Sequence, residues 1–192
     1  MVRSLVFVLL AAASVSDAFA AGQPEPEILR IDSARSHAGF SLRALLLVSV
    51  HGKFGKVGGR VHLDRGRDLG WVDAHIDARA VEMSSQDRED WARSPEFFDS
   101  ERYPDIHFLS DPITRTLLRE GGEMRGRLTL RGIERSIILV VLPADCDQPG
   151  RACPMHAQGS ISRSDFGMLS KHAVLGDRVV LDLWVFAEPA MP

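Results

Sequence analysis

Apolar and polar residues alternate with a period of two through much of this chain. From Trp71 to Asp77, Val72, Ala74 and Ile76 are apolar while Asp73, His75 and Asp77 are polar. Between Arg178 and Ala187, the residues Val179, Leu181, Leu183 and Val185 share one parity. Successive side chains of a strand point to opposite faces, so this pattern predicts half-buried strands. Residues 28–32, 37–43, 57–63, 106–110, 123–130 and 155–162 are further strand candidates. Residues 133–142 are rich in β-branched and apolar side chains, which predicts a strand covered on both faces. Turn formers gather at 56–59, 65–70, 121–122, 131–132, 148–150 and 175–177. Only residues 84–96 depart from this pattern. There Ser84 or Ser85 can cap a helix over 86–93, and Pro95 forces its end. A second short turn falls at 44–48.

Eight or nine antiparallel strands with one short helix point to a closed barrel or a sandwich, and periodicity does not separate the two. The first residues stand apart from that pattern. Arg3, an apolar run from Leu5 to Val15, and Ala18-Phe19-Ala20 form a secretory signal peptide, with cleavage expected after Ala20. The run is shorter than the roughly 20 apolar residues of a membrane span. Removing residues 1–20 takes one base, Arg3, and one acid, Asp17, so the remaining 172 residues keep a net charge of −3. That length fits one domain with a real core. The mild acidity argues against nucleic acid, which needs clustered positive charge. Cys146 and Cys153 are the only cysteines, and an even count behind an export signal favours a disulfide. A metal or redox pair is the rival reading, but C-x6-C has no ligand logic and no second pair accompanies it.

Three separated segments carry a family resemblance. The first runs from Arg88-Glu89-Asp90 through Pro95-Glu96-Phe97-Phe98-Asp99 to Tyr103-Pro104-Asp105-Ile106-His107-Phe108. The others are Gly126-Arg127-Leu128-Thr129-Leu130-Arg131-Gly132 and Arg163-Ser164-Asp165-Phe166-Gly167-Met168. In this order they resemble the YceI-like family of polyisoprenoid-binding periplasmic proteins, from about Ile31 to Ala187. The resemblance implies an all-β fold, an extended antiparallel eight-stranded lipocalin-like β-barrel with one short helical insertion. It also implies a ligand site inside that barrel. Phe40, Leu42, Phe54, Phe97, Phe98, Phe108, Leu128, Leu130, Phe166 and Met168 are its apolar candidates; core packing is the alternative role for each. Arg163 and Asp165 are candidates near a head group or, alternatively, a buried ion pair. Arg43 is a third head-group candidate, whose alternative role is an outward-facing charge, since its parity opposes Phe40 and Leu42. Trp91 stands where relatives carry a smaller residue and narrows an opening, while Ala44 stands where many relatives carry a polar one. The segment from Ser84 to Phe98 is the candidate gate.

Other chemistries find little support. Gly52-Lys53-Phe54-Gly55-Lys56-Val57-Gly58-Gly59 lacks the spacing of a phosphate loop and reads as a basic turn. The seven histidines show neither H-x-H nor H-E-x-x-H spacing, so no metal site is expected. There is no G-x-S-x-G, and no catalytic residue is assigned. Asp87, Glu89 and Asp90 read as a solvated helix face. The resemblance therefore implies a non-enzymatic periplasmic carrier for a long isoprenoid of the polyprenyl phosphate or ubiquinone class, or another long amphiphile. No cofactor is expected beyond such a bound lipid or quinone. A lipid-modifying enzyme and a quinone-presenting accessory to a membrane cytochrome are the alternatives. The reading allows transient contact with a membrane or a membrane cytochrome, and a homodimer; it excludes nucleic acid.

Overall fold

The computed structural model describes residues 27–190 apart from 46, 47, 65 and 172. The expected leader and part of the turn at 44–48 lie outside the described residues. Thirteen described strands form one antiparallel sheet. They are β1 (Glu27–Ile31), β2 (His37–Ala44), β3 (Val48–Phe54), β4 (Val57–Asp64), β5 (Leu69–Asp77), β6 (Val81–Met83) and β7 (Asp105–Ser110). After these come β8 (Ile113–Thr114), β9 (Gly122–Leu130), β10 (Ile133–Val141), β11 (Met155–Ser162), β12 (Leu175–Val185) and β13 (Ala187–Pro189). Helix α1 (Gln86–Arg93) follows β6, and α2 (Arg115–Glu120) follows β8.

The pairings explain the shape. From β1 they run through β4, β5, β7, β9, β10 and β11 to β12. Only Phe186 separates β12 from β13, and β13 pairs with β1. The sheet therefore returns to its start as an eight-stranded antiparallel barrel of lipocalin-like type, with β12 and β13 acting as one long strand. At the seam the Asp32 amide donates to the Phe186 carbonyl at 2.9 Å. Beyond the ring, β2 pairs with β12, β3 with β2, and β6 with β3, which lengthens the wall on one side.

Alternation places the core inside the ring. Ala38, Phe40 and Leu42 of β2 are buried, as are Ile106 and Phe108 of β7 and Met124, Leu128 and Leu130 of β9. Where two inward rings crowd the wall, the neighbouring strand carries glycine. A Cβ on Gly126 would lie 2.7 Å from the Phe108 ring, and one on Gly52 would overlap Phe40.

Several elements differ from the sequence expectation. The β10 strand is covered on one face only: Ile138 and Val140 are 42% and 45% exposed. Its β-branched residues suit a pleated strand whichever way they point, and the outer face of a barrel meets solvent. Residues Gly52 to Phe54 belong to β3 and Val57 to Gly59 to β4, so the basic turn shrinks to Gly55 and Lys56. Gly59, at φ 123°, lies against the backbone of Asp73 and Ala74 in the next strand. The glycine at 176 lies within β12, where the register shifts between Leu175 and Val179. Helix α2 is a second helical piece, capped by the Thr114 hydroxyl and ended by Gly121 at φ 79°. Helix α1 occupies its expected residues; its C-cap, Ser94, precedes Pro95 and is extended (ψ 164°). Cys146 and Cys153 are disulfide-bonded, with Cα atoms 6.1 Å apart.

Candidate functional site

The inward faces do not fill the barrel. A cavity of about 140 Å³ remains, walled by β2, β3, β4, β5, β7, β9, β10, β11 and β12 and by Leu118 of α2. Its lining is apolar apart from His37. Of the twelve residues singled out from sequence, eight reach this cavity: Phe40, Phe54, Phe97, Phe98, Phe108, Leu128, Leu130 and Met168. Residues not singled out, including Val57, Ile76, Ile106, Leu139 and Leu183, line it as well. Their strand parity was the available signal. Met124, Met155 and Met168 give the wall three unbranched, adaptable side chains.

One end of the cavity is closed by aromatic rings. The Phe98 ring stands edge-on to Phe40 and to Phe54, with centroids 5.5 and 5.3 Å away, and Phe97 packs against it at 4.7 Å. Such edge contacts are favoured by the ring quadrupole. The plug is held from two sides. Arg131, at φ 54° in the β9–β10 turn, donates to the carbonyls of Pro95 and Phe97. From the other side, Trp91 of α1 packs on Phe97 at 4.9 Å and donates to the Glu96 carboxylate at 3.1 Å. The helix itself is tied down through Glu89, which accepts from the Met83 amide and from Arg93. Glu89 thus has a structural task beyond the solvated face expected of it, while Asp87 is exposed.

Outside the plug lies a second cavity, about 180 Å³, between β2, β3, α1 and the segment before β12. Phe40 and Phe97 line both spaces, so these two rings stand between them. Leu42 lines this vestibule and not the inner cavity. Trp91 lines it too, and narrows it. Its two cationic residues are Arg88, which donates to the Ser84 hydroxyl at 2.8 Å, and Lys171, whose ammonium lies 5.1 Å from the Trp91 ring centre.

The polar candidates occupy other places. Arg163 is fully buried, but it does not face either cavity. Its guanidinium donates to the carbonyls of Met168, Leu175 and Gly176. Burial pushes its pKa down, and the Asp177 carboxylate nearby acts against that. Asp165 is exposed on the outside of the barrel, so the expected pair with Arg163 does not form; the carboxylate whose charge Arg163 feels is Asp177, which accepts from Ser164. Phe166 is buried beneath this segment, away from the inner cavity. Arg43 is exposed, as its parity required. Among the described residues, no helix is long and apolar enough to cross a membrane.

A closed antiparallel barrel with a plugged apolar interior defines a small class of internal-cavity proteins, and comparison narrows it. The YceI-like domain matches residues 29–187, and the chain belongs to that family. It is similar to Protein YceI of Salmonella newport, 26% identical over 158 residues covering 78% of this chain and 81% of that one. Among solved structures, BcnA of Burkholderia cenocepacia shares the fold with a TM-score of 0.67 at 21% identity, over 81% of this chain and 98% of that chain. A polyisoprenoid binding domain from Saccharophagus degradans, implicated in plant cell wall breakdown, gives a TM-score of 0.63 at 16% identity, over 86% and 100%.

Proposed function

We propose that this protein is exported to the periplasm by its leader and there binds a prenyl lipid. The tail would lie in the inner cavity and the head group in the vestibule, between Arg88 and Lys171. The observation that carries this reading is the apolar cavity, enclosed by strands from all round the barrel and separated from a cationic vestibule by only two phenylalanine rings. Family membership and the likeness to a polyisoprenoid binding domain support it.

Magnitudes shape the mechanism. A cavity of about 150 Å³ lined by aliphatic and aromatic side chains holds a benzene-sized group. The inner cavity, about 140 Å³, is therefore the right size for roughly one isoprene unit before anything moves. A longer tail enters only as the methionines and the Phe40 and Phe97 rings change rotamer. Burying five carbons is worth about 4 kcal/mol relative to water. A bilayer already supplies that, so tail burial roughly cancels in transfer from a membrane. Head-group contacts and the cost of opening the plug decide loading, as suits a carrier that gives its cargo back.

The test is to purify the protein from its native host, extract it with organic solvent and identify what is released by mass spectrometry. One prenyl lipid per chain supports the proposal. An empty barrel that also fails to take up a short prenyl phosphate from detergent in vitro overturns it.

A further inference from the structure

We infer that the outer wall carries a divalent transition-metal site built from Asp73, His75 and His107, with Asp105 behind it. None of these residues belongs to the cavity or the vestibule. Strand alternation sends Val72, Ala74, Ile76, Ile106 and Phe108 inward and leaves Asp73, His75 and His107 on the outer face. His75 of β5 lies directly opposite His107 of β7, and Asp73 is two residues before His75 on the same face. The site was not legible in the sequence because its third ligand lies on a different strand, 32 residues beyond His75.

The three donor groups lie close enough to share one ion after a small adjustment. The two imidazoles stack, with centroids 4.4 Å apart and planes 10° from parallel, so one ring must turn before both Nε2 lone pairs can meet on one ion. One ligand atom from each of the three residues lies within 4.8 Å of the other two. The Asp73 oxygen is 2.7 Å from His107 Nε2 and 3.3 Å from His75 Nε2. Neighbouring ligands on a tetrahedral zinc with bonds of ~2.05 Å lie about 3.3 Å apart. One of these two distances already fits, and the other must open by about 0.6 Å.

The proton arrangement favours a cation as well. His75 Nδ1 lies 3.1 and 3.0 Å from the two Asp105 oxygens. An ionised carboxylate only accepts, so the His75 proton sits on Nδ1. A neutral His75 then turns the Nε2 lone pair toward the Asp73 carboxylate, two acceptors face to face. A metal ion between them turns that repulsion into two bonds. The Asp105 contact also matches the outer carboxylate that commonly orients a metal-bound imidazole. Two imidazoles and one carboxylate suit zinc, nickel or copper(II) better than calcium or magnesium. The three side chains are each about one-third to one-half exposed, so at least one coordination position opens to solvent. On the far side of the wall from the ligand cavity, the ion would pin β5 to β7; it would not act on cargo.

The experiment uses untagged, chelator-treated protein and titrates Zn²⁺ calorimetrically, with Co²⁺ absorption as a second reading. One equivalent should bind, Co²⁺ should give the visible bands of a low-coordinate site, and Zn²⁺ should raise the melting temperature. Asp105→Asn should weaken binding about 10–100-fold. Asp73→Asn alone, and His75→Ala combined with His107→Ala, should lose saturable binding while circular dichroism stays unchanged. His156→Ala, which removes the separate His156–Asp182 pair on β11 and β12, should bind Zn²⁺ normally. Absence of saturable binding by the parent protein overturns the proposal, and so does equal binding by the double variant. In either case the cluster is a hydrogen-bonded surface group and not a metal site.

Discussion

The Phe40 ring lies across Gly52 of the neighbouring strand, in register with it, so that no side chain larger than hydrogen fits beneath the ring. Gly52 touches no part of the cavity, yet it sets where the Phe40 ring stands, and that ring divides cavity from vestibule. Gly52→Ala should push Phe40 off its seat without altering any lining residue. Overpacking of this kind costs about 1–3 kcal/mol. The variant should melt earlier but take up a fluorescent prenyl lipid faster than the parent protein. Uptake at an unchanged rate, in a variant destabilised by that amount, would mean that Phe40 is not the barrier.

Arg88 and Lys171 should distinguish head from tail. If an anionic head sits between them, Arg88→Ala and Lys171→Ala should each weaken binding of a short prenyl phosphate, and 0.5 M salt should mimic the effect. Exposed charge contacts are each worth up to about 1 kcal/mol, so a two- to fivefold loss per substitution is expected. Binding of the matching prenyl alcohol should hardly change. Equal losses for phosphate and alcohol would show that these residues only shape the vestibule. Competition against a fluorescent prenyl probe provides the measurement.

Much of this arrangement was legible in the sequence, and the exceptions share physical causes. Period-two patterning located β5 and β12, and eight of the apolar residues singled out beside the family motifs line the inner cavity. Parity says only inside or outside, however. It could not say that Leu42, two residues after Phe40, falls beyond the plug. Nor could it tell a β-branched strand exposed on one face from one buried on both, because Ile138 and Val140 satisfy strand geometry in either case. Glycine misled where it served packing and not turning: Gly52 and Gly59 sit inside strands, beneath a ring and against a neighbouring backbone. The partners of Arg163 were unreadable because they are backbone carbonyls, which every sequence contains.

Arg163 is expected to be a structural residue on which the vestibule depends. Its three carbonyl partners lie between Met168 and Gly176, the segment that presents Lys171. Arg163→Met keeps the bulk but leaves those carbonyls without their donor and Asp177 without its cation. Leaving a buried acceptor without its donor costs about 1–3 kcal/mol. Urea denaturation should report a loss in that range. Arg163→Lys should recover little, because one ammonium cannot reproduce the planar fork that reaches three acceptors. Full stability in Arg163→Lys would show that charge alone, and not the fork, is what the segment requires.

Asp177 gives the fold a pH dependence with a definite sign. Burial would raise its pKa, but the Ser164 hydroxyl and amide, at 2.9 and 3.0 Å, together with the Arg163 charge, hold it below the ordinary carboxylate value. A carboxyl depressed on folding contributes stability that is fully present above its unfolded pKa of about 3.9. That contribution is lost as pH falls through the lower, folded value. Asp182 shifts in the same direction, held down by His156, Trp184 and Gln158 against its own burial, so the whole protein should lose stability below about pH 4. Asp177→Asn isolates one share of this. At pH 7 the variant should be less stable than the parent protein, because Asn has one acceptor where the carboxylate uses two. The gap should narrow steadily below about pH 4 as the parent's carboxyl takes up its proton. Melting curves from pH 2 to pH 7 on both proteins test this, and a gap that stays constant through the acid range would remove Asp177 from the account of acid sensitivity.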